Sequence, residues 1–112
     1  MPDSFAPLSN TPYYAVIFSN QLADNAKGYG EMADAMVASA QTQPGFLGVE
    51  STRGVDGFGI TVSYWKDETS MIAWKGDAQH LLAQKLGKTR WYDHYCLRVA
   101  RIERQYCGPD GR

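Results

Sequence analysis

The chain has 112 residues, of which 44% are hydrophobic and 21% charged, and its formal net charge is −1. That length supports one domain with a single core. The near-neutral balance, with no basic run beyond two residues, argues against nucleic acid as a partner, and no apolar run approaches the roughly 18 residues needed to cross a bilayer.

Three Trp, seven Tyr and four Phe exceed what one small core needs. Aromatics at that density point to a ligand cavity, a subunit interface, or both. The two cysteines, Cys96 and Cys107, make no disulfide scaffold, so a reduced cytoplasmic protein is expected. Two histidines and two cysteines without ligand spacing signal no metal site.

In chain order, Met1 to Pro12 carries Pro2, Pro7 and Pro12 among Ser, Asn and Asp. It lacks the features of a signal peptide and reads as a flexible N-terminal arm, loose or clasping a partner. Tyr13 to Asn20 is the first strand, apolar on both faces and so covered on both. Gln21 to Gly30 is a polar loop. A helix follows to about Gln43, with a stripe of Tyr29, Met32 or Ala33, Met36, Val37 and Ala40, and Pro44-Gly45 stops it.

Phe46 to Arg53 is the second strand, and Gly54 to Gly57 turns the chain into the third, Phe58 to Trp65. There Phe58, Ile60, Val62 and Tyr64 face one way, and Gly59, Thr61, Ser63 and Trp65 the other. Asp67 is placed to cap a helix on which Met71, Trp74 and Ala78 recur at helical spacing. Gly76-Asp77 marks a kink, with the helix renewed to about Leu86 on a buried side of Ala78, Leu81, Leu82 and Leu86. Tyr92 to Tyr106 alternates as a long last strand. The domain is therefore 13–106, between an arm at 1–12 and a tail at 107–112.

The order strand, helix, strand, strand, helix, strand is the ferredoxin-like βαββαβ arrangement of the α+β class, a four-stranded antiparallel sheet with both helices on one face. Tyr14, Val16, Phe18, Leu97 and Val99 suggest that the second face is apolar as well. A homodimer burying sheet against sheet is expected to cover it.

The residues Val62 to Trp74 (Val-Ser-Tyr-Trp-Lys-Asp-Glu-Thr-Ser-Met-Ile-Ala-Trp), His80, and Arg90 to Tyr95 (Arg-Trp-Tyr-Asp-His-Tyr) resemble the antibiotic biosynthesis monooxygenase domain family. That family lies in the dimeric α/β-barrel superfamily, and the resemblance spans roughly Tyr13 to Arg104. It implies a small monooxygenase that works without a bound cofactor on an aromatic or polycyclic molecule. Two alternatives stand beside it: a haem-degrading enzyme, and a non-catalytic module that binds small molecules or serves a stress response on the same fold. The haem-degrading branch places an Asn at the end of the first strand, a Trp on the second helix and a haem-ligating His farther along. Asn20 and Trp74 stand at the first two positions; the third falls near Gln84, with His80 one helical turn earlier.

Cofactor-free oxygenation needs an acidic aromatic substrate, a group to hold or take its proton, and a dry pocket. His80, Trp74 and Asn20 are the catalytic candidates, and Trp65, Trp91 and Tyr92 the substrate-binding ones. Each has a structural reading too. Trp74 sits at core spacing with Met71, and Trp65 can simply anchor the helix after its strand. Trp91 and Tyr92 can pack under the last strand or in the dimer interface. His80 in an unbroken helix lies opposite the apolar positions, and Asn20 can be a turn residue. His94 reads as a satisfied or exposed histidine.

Overall fold

The first strand runs to Leu22, past its expected end at Asn20. The computed structural model describes residues 4–24, 36–86 and 92–109, the side chains of 79–86 excepted. Its elements are β1 (Tyr13–Leu22), α1 (described over 36–41), β2 (Phe46–Arg53), β3 (Phe58–Trp65), α2 (Glu68–Leu86) and β4 (Tyr92–Ile102). The strands form one antiparallel sheet in the order β2-β3-β1-β4. This is the ferredoxin-like α+β arrangement. No helix among the described residues is long and apolar enough to cross a membrane.

The ends of the strands have local causes. β1 extends because Leu22 donates its N–H to the Gly57 carbonyl at 3.0 Å and Gln21 reaches the Asp56 carbonyl at 2.8 Å. β4 stops at Ile102, not Tyr106, because its partner strand begins opposite it, at Tyr13. Pro12 has no N–H with which to carry the ladder on. The segment after β4 bonds to the arm instead: Gln105 takes the Tyr13 hydroxyl and donates to the Ser9 carbonyl at 2.6 Å.

Asp67 caps α2, its Oδ1 accepting the Ser70 N–H at 2.8 Å. That bond lowers the Asp67 pKa. Just before α2, Gly45 holds φ +83, and a Cβ there would run into Ser70. The expected interruption at Gly76-Asp77 is absent, and α2 runs through it unbroken. Gly76 faces open space, so it costs about 1 kcal/mol of helix propensity and breaks no contact.

Met71, Trp74 and Ala78 bury the stripe of α2 against Val16, Ala40 and Trp65, with Tyr14, Met36, Phe46 and Leu97 packed around them. The register decides which face this is. Tyr14, Val16 and Phe18 pair with Trp65, Ser63 and Thr61 on β3, and Val16 and Phe18 with Val99 and Leu97 on β4. In an antiparallel ladder, paired residues share a face. These residues therefore all lie on the helix side, which corrects their expected place on the far face. Val99 stays 45% exposed because the described helices do not cover that edge.

The far face carries Tyr13, Ala15 and Ile17 with Phe58, Ile60, Val62 and Tyr64. The arm covers one end of it. Ala6 lies against Gly48, too close for a Cβ at that position, and donates its N–H to Glu50 at 2.9 Å. Tyr64 donates to the same carboxylate at 2.7 Å. Burial first, and then that bond, raise the Tyr64 pKa, so it stays a donor. Farther along, Phe58 and Ile60 remain 46% and 37% exposed.

Candidate functional site

A cavity of about 130 Å³ lies between the helix face of the sheet and the two helices. Its apolar walls follow from the two periodicities. Alternate residues of the strands supply Val16, Phe18, Val49 and Leu97, α1 supplies Met36, Val37 and Ala40, and α2 supplies Trp74 and Ala78.

The polar lining, among the described residues, is three hydroxyls and one ammonium. Ser63 is buried, and its Oγ accepts the Trp65 indole N–H at 2.9 Å, leaving its own O–H to donate. Ser51 and Thr61 share one hydrogen bond at 2.7 Å, which leaves one of the two hydroxyl hydrogens uncommitted. Lys75, half-buried, marks where the lining meets solvent. No carboxylate lines the cavity among the described residues. Sequence reasoning passed over these four side chains. The signal available was the alternation itself, which already set Thr61 and Ser63 on the face of Trp65.

The candidate residues divide. Trp74 lines the cavity. Trp65 is 0% exposed and stands behind Trp74, stacked on it at 5.7 Å and 23°, with Phe46 edge-on at 5.5 Å. Since Ser63 takes its N–H, the Trp65 indole has no donor left for a ligand. Tyr92 is buried, lines the cavity and meets Phe18 edge-on at 5.3 Å. Tyr95 completes that aromatic group, 5.6 Å from Phe18 and 6.0 Å from Tyr92.

Asn20 lies on the same face, one alternation beyond Phe18, and is 2% exposed. Its Oδ1 accepts from Arg53 at 2.6 Å, and Arg53 also reaches the Gly57 carbonyl. The guanidinium can lie there because Gly59 has no Cβ; one would stand 2.8 Å from Arg53 Cζ. The Asn20 amide nitrogen makes only a long bond, 3.4 Å, to the Phe18 carbonyl.

Trp91 and the side chain of His80 lie outside the described residues. His94 sits on the far face, exposed, with its ring 3.6 Å from the Cys96 sulfur. Among the described residues, no imidazole lines the cavity. Among them, no three His, Cys, Asp or Glu converge on a point that could hold a metal ion.

Comparisons with known proteins bear on this geometry. The family model described as antibiotic biosynthesis monooxygenase matches residues 12–86. The protein YqjZ of Bacillus subtilis is 48% identical over 105 residues, covering 94% of this chain and 92% of its own length. Jasmonate monooxygenase ABM of Pyricularia oryzae is 35% identical over 46 residues, 41% of this chain but 21% of that protein. Among solved structures, SnoaB of Streptomyces nogalater, a cofactor-independent oxygenase, superposes with a TM-score of 0.64 at 12% identity, covering 89% of this chain and all of its own. At that identity the likeness speaks for the fold.

Proposed function

This chain belongs to the antibiotic biosynthesis monooxygenase family, and we propose that it is a cofactor-independent monooxygenase acting on an aromatic small molecule in the cavity between sheet and helices. One observation carries the reading: an apolar chamber walled by Trp74 whose described polar groups are hydroxyl donors and an ammonium. Such a site stabilises the anion of an acidic aromatic substrate, and a developing oxyanion after it, better than the neutral molecule.

The chemistry is an exchange between substrate and dioxygen. The phenolic O–H loses its proton, the anion passes an electron to dioxygen, and the radical pair joins in a C–O bond at a ring carbon that carries hydrogen. Loss of water then leaves a second ring carbonyl, so one phenol and one O2 become one quinone and one H2O. Trp74 and Tyr92 hold the ring, and the Ser63 hydroxyl and Lys75 steady the charge. Asn20, fixed by Arg53, is buried beyond Phe18, outside the cavity lining. The proton leaves to water at the Lys75 rim.

Oxygen uptake tests this. Purified protein with dihydroxyphenols is expected to consume one O2 per molecule of product. Inactivity across that panel, with tight binding of a small aromatic, would make the fold a binding module instead.

A second copy of the chain is the proposed cover for the far face, where Ile17, Ile60, Val62 and Phe58 form an apolar strip beyond the arm. Sedimentation is expected to give twice the chain mass at micromolar concentration. A clean monomer would contradict this.

A further inference from the structure

We infer that the natural ligand of this cavity is a single-ring organic anion, seated with its ring on Trp74 and its charge between Lys75 and the Ser63 hydroxyl. The inference rests on the monooxygenase reading only in taking this cavity as the substrate site; it adds the size and the charge of what enters.

Size comes from the volume. The cavity holds about 130 Å³ and is open to solvent on one side, and an apolar cavity of roughly 150 Å³ is enough for one benzene. One six-membered ring fills such a space, while three fused rings would leave part of their apolar surface in water, because Met36 and Ala40 pack on the core cluster and close-packed interiors yield little.

Charge comes from the polar lining. Ser63 accepts the Trp65 indole N–H, which leaves its own hydrogen free to donate to a ligand. The Ser51–Thr61 pair offers a second. Lys75 adds a full positive charge, and no described lining residue opposes it. A neutral ring would leave the buried Ser63 hydroxyl without an acceptor, which is costly, whereas a carboxylate or phenolate engages it together with the half-buried Lys75 ammonium. Both anions present the same acceptor chemistry, and the probes below separate them.

The test is calorimetric titration of the full chain with benzoate, 4-nitrophenolate, methyl benzoate and anthracene-2-carboxylate. At least one of the two single-ring anions is expected to bind about tenfold or more tighter than methyl benzoate, and the tricyclic acid more weakly than benzoate. The stronger of the two anions assigns carboxylate or phenolate. Lys75→Met, a change on a partly exposed helix position, is expected to erase the preference for the anion, and Lys75→Arg to keep it. Equal binding of methyl benzoate, tighter binding of the tricyclic acid, an unchanged preference in Lys75→Met, or no binding by any of the four would each overturn the inference. The oxygenase reading fails separately. The expected binding pattern without oxygen uptake would sink that reading alone, whereas uptake with a neutral polycyclic substrate would spare it and sink this one.

Discussion

Trp65→Ala is expected to cost about 3–5 kcal/mol of folding stability, a large part of what a domain of this size has to lose. Trp65 is fully buried, and it joins three parts of the molecule. Its ring stacks on Trp74 of α2 and meets Phe46 of β2 edge-on, while its N–H bonds to Ser63 across the strand pleat. Truncation would leave a void beneath α2 and free that helix to settle on the sheet in other positions. Denaturant titration measures the loss. A cost below about 1 kcal/mol, in the range of a surface substitution, would mean that the indole is not the anchor described.

Trp74→Phe separates the other indole. It keeps an aromatic ring in the stripe of α2 but removes part of the cavity wall, so stability should fall modestly. Turnover should fall much further, because the ring of the substrate loses the surface that orients it. A misplacement of about 1 Å can cost about 100-fold in rate, and a loss of that order in kcat is expected with any aromatic that supports oxygen uptake. A Trp74→Phe variant with full activity would reverse the assignment.

The strands and the stripe of α2 were legible because burial imposes period two on one and about 3.6 on the other. Met71, Trp74 and Ala78 are each buried as their spacing implied. What period alone cannot say is which face of a sheet the helices take when both faces are apolar. For that reason Tyr14, Val16, Phe18, Leu97 and Val99 were set on the wrong side until the register fixed them. The end of β4 misled for a related reason: alternation runs on to Tyr106, but a strand stops where its neighbour does. Gly76 suggested a break, yet one glycine on an exposed position is outweighed by a buried stripe that continues to Ala78.

The site was partly legible. Trp74 and Tyr92 announced themselves as aromatics beyond the needs of a small core, and both line the cavity. Ser63, Thr61 and Ser51 did not, because a hydroxyl on a strand reads as a solvent residue until something apolar covers it. Lys75 reads as an exposed helix lysine for the same reason. The pairing of Arg53 with Asn20 over Gly59 joins three positions from separate strands, and only their register brings them together.

The central claim is that the chamber bounded by Trp74 is where the substrate sits. The most direct measurement is the nitrogen–proton NMR spectrum of the indole side chains during titration with an aromatic that supports oxygen uptake. The Trp74 indole signal is expected to move in proportion to saturation, while the Trp65 signal, held to Ser63 inside the core, moves far less. If Trp74 stays still while backbone signals around Tyr13 and Tyr64 on the far face shift instead, the site is elsewhere and the account is contradicted.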